Sequence, residues 1–173
     1  MNKLFCMASS LIAISLISMS QAEAAKNIKI CWEAETTKKI TKPLLRAQLS
    51  NDSNASKGKY LQMPWSKDHL LGAATYRFNV VNSGKYYVFL RVKWSNSFSN
   101  IVYASINNSP KQYVGEDGTY GSWHWLGLPA SVRCRSGTNT LLLNNMDMGV
   151  KIDQIFLCSE KNYTPTGKRR ATQ

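Results

Sequence analysis

The chain has 173 residues, with 22 Lys and Arg against 10 Asp and Glu, so its formal net charge is +12. This length suits one domain with a proper core, and the positive field favours anionic partners such as an acidic polysaccharide or a cell surface. The basic residues are scattered, with Lys168-Arg169-Arg170 the one dense run, and no nucleic-acid motif accompanies them, so a nucleic-acid partner is not expected.

Taken in chain order, the first segment is Lys3, an apolar run from Leu4 to Met19, and the small-x-small site Ala22-Glu23-Ala24. This reads as a secretory signal peptide over residues 1–24, too short and too lightly flanked to span a membrane. No second apolar run long enough to cross a bilayer follows it, so the mature protein is expected to be exported to the periplasm or the medium.

Short strand-like runs then alternate with turn residues. Ile28 to Glu35 is the first, and Lys59 to Met63 follows a polar loop. Ala74 to Val81 places Tyr76, Phe78 and Val80 on one face, and Lys85 to Trp94 places Tyr86, Val88, Leu90 and Val92 on one face. Asn82-Ser83-Gly84 between them predicts a hairpin. Ile101 to Ile106, Gln112 to Val114, Trp123 to Leu126, Ala130 to Cys134, Thr140 to Asn144 and Val150 to Leu157 complete the series. No stretch holds a helical period, so the pattern predicts one all-β sandwich or jelly roll over residues 25–167, with a basic, disordered tail over 168–173.

Two strand-like segments carry carboxylates among apolar neighbours: Cys31-Trp32-Glu33-Ala34-Glu35 and Lys151-Ile152-Asp153-Gln154-Ile155. Glu33 and Glu35 are two apart, so on a strand they share a face and repel, and with Asp153 they suggest a cation between the ends of the chain. Cys31, Cys134 and Cys158 follow the export signal, and an oxidising compartment predicts one disulfide with one thiol left over. No C-x-x-C spacing is present, which argues against a thiolate metal site. Placing Glu35 opposite Asp153 sets Cys31 opposite Leu157, whereas a Cys31–Cys158 bridge needs a slipped register. The two coexist only with a bulge or bend; otherwise Cys134 takes one partner. Cys31–Cys158 is the pairing carried forward.

The order of Glu33-Ala34-Glu35, Gly58-Lys59-Tyr60, Ser83-Gly84-Lys85-Tyr86-Tyr87-Val88-Phe89-Leu90-Arg91, Tyr120-Gly121-Ser122-Trp123-His124-Trp125 and Gly149-Val150-Lys151-Ile152-Asp153 resembles the family-6 and family-35 carbohydrate-binding modules. The resemblance covers nearly all of the mature chain and implies the galactose-binding-like jelly-roll β-sandwich. It implies a structural calcium ion held by Glu33, Glu35 and Asp153, consistent with the preference of calcium for hard oxygen ligands. It also implies a sugar site in loops at one end of the sandwich, with Tyr60 and Trp123 or Trp125 as aromatic contacts, Asn145 as the polar residue and Asp147 as its neighbour. Trp65 and Trp94 are read as core or rim residues, Arg91 as a sheet-edge ion-pair partner, and His69 and His124 as non-ligands.

The function expected is that of a secreted, non-catalytic carbohydrate-binding protein, with an acidic glycan as a plausible ligand. Glu33 and Glu35 sit on one strand rather than flanking a cleft from separate elements, which argues against glycoside hydrolysis. The alternative keeps the sandwich but uses it as a structural or assembly protein of the exported surface, with protein partners.

Overall fold

A computed structural model describes residues 27–41, 45–48, 52–65, 72–144 and 146–173, with 45–48 described by backbone alone. The expected signal peptide, Asn145 and His69 lie outside the described residues. Twelve strands are described: β1 (Lys29–Glu33), β2 (Lys39–Thr41), β3 (Leu45–Gln48), β4 (Lys59–Gln62), β5 (Ala73–Val80), β6 (Gly84–Lys93), β7 (Ile101–Ile106), β8 (Gln112–Gly115), β9 (His124–Gly127), β10 (Val132–Cys134), β11 (Gly137–Asn144) and β12 (Lys151–Cys158). Single 3-10 turns occupy Ala34–Thr36 and Ser56–Gly58. Among the described residues no helix is long and apolar enough to cross a membrane.

The strands form two antiparallel sheets, as the all-β sandwich expectation requires. The first runs β10-β6-β12-β4-β3, with β1 also on β12 and β9 also on β6; the second runs β2-β5-β11-β7-β8. Period-two alternation sends Leu90, Val92, Ile152, Ile155 and Leu157 from one sheet, and Tyr76, Phe78, Leu141 and Leu143 from the other, into one shared core.

The expected hairpin at Asn82-Ser83-Gly84 is corrected. β5 pairs with β2 and β11, whereas β6 pairs with β12, β9 and β10, so this turn carries the chain from one sheet to the other. An arch between facing sheets and a hairpin within one sheet leave the same alternation of apolar residues, so periodicity cannot separate them. The arch is tied by the Tyr86 hydroxyl donating to the Asn82 carbonyl at 2.7 Å and by Ser136 Oγ donating to the Val81 carbonyl at 2.6 Å.

The Cys31–Cys158 disulfide is also corrected. β1 and β12 pair with Cys31 opposite Phe156, Lys29 opposite Cys158 and Glu33 opposite Gln154, a register that neither expectation anticipated. Cys31, Cys134 and Cys158 are free and buried. Cys31 and Cys158 lie diagonally on the outer face of the first sheet, packed with Phe156 in one small cluster, while Cys134 belongs to the main core. The strand ends at Glu33, so Glu35 lies in the 3-10 turn and the two glutamates do not alternate along one strand.

The tail from Lys168 is held rather than disordered. The Thr172 amide donates to the Cys31 carbonyl at 2.7 Å, and the Cys31 amide donates to Thr172 Oγ1 at 3.0 Å. Arg169 exchanges two bonds with the buried Gln154 side chain at 2.7 and 2.9 Å. β1 pairs with β12 along one edge, and the tail satisfies backbone groups along its other edge.

Candidate functional site

Because Leu90, Val92 and Trp94 face the core, Arg91 and Lys93 project from the outer face of the first sheet. β9 lies beside them, with Trp125 opposite Arg91 and His124 opposite Val92, and Trp123 immediately precedes it. Tyr60 comes from β4, and the loop carrying Asp52, Asn54 and Ser56 folds over the same face. The Tyr60 and Trp123 rings meet edge to face, with centroids 5.5 Å apart at 61°. Arg91 Cζ lies 5.5 Å and Lys93 Nζ 5.9 Å from the Trp123 ring centre, and Lys151 Nζ lies 5.3 Å from that of Tyr60.

Asp52 ties this group together: Trp123 Nε1 and Lys93 Nζ both donate to its carboxylate at 3.3 Å. Burial alone would raise the Asp52 pKa, but these donors outweigh it and hold the group below the usual carboxylate range. Burial and the neighbouring Lys93 charge push Lys151 down. Beside Trp123 is a cleft of about 290 Å³ whose walls include Asn54, Arg91, Lys93 and Ser122. It offers an indole, two cations and amide and hydroxyl groups to a ligand.

Tyr60 and Trp123, both expected from the sequence, are therefore brought together, but they differ in access. Tyr60 is 0% exposed, so its ring is a wall behind Trp123 rather than an open platform. Trp125 shares the outer face of the sheet and is half-buried like Trp123, but its Nε1 donates to the Gly167 carbonyl at 2.7 Å and its ring packs on Phe156. Asp147 is occupied within a loop, accepting the Asn100 and Ile101 amides at 3.2 and 2.9 Å. Asp52, Asn54, Lys93 and Lys151 were not singled out from sequence. The alternation along β6 gives Lys93 an outward face, but no sequence signal shows which loop folds over it. Trp65 is 61% exposed and lies against Gly149, whereas Trp94 is buried and donates to Asp117 at 3.0 Å.

The carboxylates expected to bind a cation lie beneath the same loop. Asp153 occupies a β-bulge, where the β12–β6 register shifts between Ile152 and Gln154. Its Oδ1 accepts the Ser56 amide at 2.8 Å and its Oδ2 accepts Arg91 Nη1. Ser56 Oγ donates to Glu33 Oε1 at 2.9 Å. Glu33 Oε2 and Glu35 Oε2 are buried with no hydrogen-bond partner. Burial, and then the Glu33 and Asp153 charges, push Glu35 up to about 7. Burial, opposed by Arg91, pushes Asp153 up to about 6. Two orphaned carboxylate oxygens that repel one another suit a hard cation, whereas both Asp153 oxygens are already engaged. Among the described residues no three His, Cys, Asp or Glu side chains gather as a metal cluster.

No family model and no curated protein matches the sequence. Solved structures do. A family 35 carbohydrate-binding module from Clostridium thermocellum superposes with a TM-score of 0.59 at 15% identity, over 75% of this chain and 97% of the module. The exo-β-1,3-galactanase of Phanerochaete chrysosporium, solved with galactose, superposes with a TM-score of 0.57 at 22% identity, over 75% of this chain. The β-(1,4)-mannanase GH26-CBM35 of Podospora anserina does so at 0.59 and 16% identity, over 78% of this chain. The chain spans only 29% of the galactanase and 28% of the mannanase. The chain thus has the β-sandwich fold of the family 35 carbohydrate-binding modules.

Proposed function

We propose that this protein is an exported, non-catalytic carbohydrate-binding protein whose sugar lies against Trp123, with an acidic glycan as the preferred ligand. The observation that carries the reading is the Trp123 cleft itself: a half-buried indole lining a cavity, flanked by Arg91 and Lys93, which are paired with Asp153 and Asp52. An indole gives a sugar ring contact area at little entropy cost, and the preference for an acidic glycan rests on the net charge of +12 and on Lys93 and Lys151 outnumbering Asp52 beside the ring pair. The shared fold with family 35 modules supports this reading. Glu33 and Asp153 are at most 2% exposed beneath a loop, which leaves them without access to a glycosidic bond.

Calcium belongs to the same reading. Glu33 and Glu35 would hold it through their orphaned oxygens, and the ion would neutralise the buried carboxylates and tie the first turn to the 52–58 loop. Asp153 contributes by anchoring that loop through the Ser56 amide.

The test is a polysaccharide screen by calorimetry with the intact protein, comparing wild type, Trp123→Ala and Trp125→Ala. Loss of the Trp123 ring is expected to weaken binding about tenfold, worth about 1.4 kcal/mol, while Trp125→Ala has little effect. Binding to acidic glycans should fall with salt. Absence of binding to every neutral and acidic glycan would favour the surface-assembly alternative, which the 87% exposed Phe98 and the exposed Trp65 also suit.

A further inference from the structure

A second concavity lies on the seam between the two sheets, with a volume of about 730 Å³ and no lining residue in common with the Trp123 cleft. β2 pairs with β5 over Ala73–Thr75, and among the described residues no strand continues along that edge of β5, opposite its β11 edge, from Tyr76 onward. The cavity opens there, between that edge, β1 and the turn Ala34–Thr36.

Its charged side chains are all basic, and Gln173 brings its amide and the terminal carboxylate to the rim. Lys38, Lys39 and Arg77 are exposed on its walls, none is in an ion pair among the described residues, and no acidic side chain lines it. Glu35, in the adjacent turn, has Glu33, Asp153 and Lys57 as its charged neighbours rather than these three cations. Thr75 and Thr140 add hydroxyl groups from the neighbouring strands. The floor includes Trp32, which is 4% exposed and stacks on Phe78 with centroids 5.3 Å apart at 22°. Its indole N–H is buried with no hydrogen-bond partner.

The Trp32 ring face is spent on Phe78, so this cleft does not offer a sugar an open aromatic platform. It offers positive charge and hydroxyls within a volume that suits a small saccharide. The geometry points to a second saccharide site that takes a sugar bearing an oxyanion, either the carboxylate of a uronic acid or a sulfate ester. The inference rests on the carbohydrate-binding reading but not on the Trp123 cleft. Two sites on one domain would let a single acidic polysaccharide bind with avidity where its length spans both.

The test follows the indole N–H resonances of the intact protein by NMR during titration with trigalacturonate, a sulfated disaccharide and a neutral trisaccharide. Trigalacturonate or the sulfated sugar should move the Trp32 indole signal saturably at millimolar concentration, and the neutral sugar should not. Which acidic probe acts identifies the oxyanion. The exposed charge reversals Lys39→Glu and Arg77→Glu together should abolish the Trp32 response and leave any Trp123 response intact. A Trp32 signal unmoved by both acidic probes, or moved equally in the charge-reversed variant, overturns the second site. A silent Trp123 beside a responding Trp32 overturns the first site alone.

Discussion

Arg91 and Asp153 form an ion pair across the β6–β12 junction with side chains 7% and 0% exposed. The bulge makes it possible: Ile152 and Ile155 both face the core, so the two residues between them, Asp153 and Gln154, are both turned outward under the 52–58 loop. Arg91 also donates to the Asn54 carbonyl at 3.0 Å, which joins the pair to the loop that forms one wall of the Trp123 cleft. Strand register and site shape are therefore set by the same contact.

Removing one member should cost more than the pair itself contributes, because the survivor is left charged and buried. Arg91→Met is expected to lower unfolding stability by about 3–5 kcal/mol in denaturant titrations. The double variant Arg91→Met/Asp153→Leu should recover much of that loss. Equal stability of the two variants would show that Asp153 finds compensation elsewhere.

Glu35 supplies a pH test. Its folded-state value of about 7 lies above the ordinary 4.5, so between these values the folded protein holds a proton that the unfolded chain has released. The resulting stabilisation is complete below about pH 4.5 and is lost as pH rises through 7. With a chelator present, the Tm of wild type should fall relative to Glu35→Gln between pH 5 and 7. Calcium should remove much of that difference at pH 7 by neutralising the ionised pair. A pH-independent gap in chelator would rule out the raised Glu35 value that burial and the Glu33 charge together produce.

The limits of the sequence show at particular residues. Tyr76, Phe78 and Val80, then Tyr86, Val88, Leu90 and Val92, alternate cleanly, and that alternation identifies both strands. It is blind to which sheet each joins, because an inward face looks the same on either side of a sandwich. The motif order made Tyr60 legible as the partner of Trp123 or Trp125 without choosing between them, and it is Trp123 that meets it. Trp125 shares the outward face of Trp123, yet its Nε1 is engaged by the carbonyl of Gly167, a long-range contact that local pattern does not encode. Asp52 and Lys151 were illegible for the same reason: each looks like an ordinary surface charge until the loop and the sheet bring them to one ring pair. The β1–β12 register depends on where β1 stops, and the turn at Ala34 ends the strand before Glu35 can pair.

The free thiols follow from that register. Burial, with Glu33 nearby, pushes Cys31 up to about 12, and burial pushes Cys134 up to about 11. Both therefore stay protonated and unreactive at neutral pH. Alkylation of the folded protein at pH 8 should label neither, labelling after denaturation should reach Cys31, Cys134 and Cys158, and a reductant should leave the Tm unchanged. A mass lower by two hydrogens, with Cys31 and Cys158 protected in denaturant, would restore the disulfide.

Two glycines separate strain from collision. At Gly149, φ is +84° and an added Cβ would lie 2.9 Å from Trp65, but that ring is 61% exposed and free to swing outward. Gly149→Ala should therefore cost about 1–2 kcal/mol, the penalty of the left-handed backbone, and shift Trp65 fluorescence as the ring moves. At Gly115 the added Cβ would fall 1.8 Å from the Asn100 carbonyl oxygen, which is backbone and cannot yield without parting β7 from β8. Gly115→Ala should be the more damaging of the two in denaturant titrations, although the change in side chain is the same. Equal losses would mean that the loop at Asn100 yields as readily as the Trp65 ring.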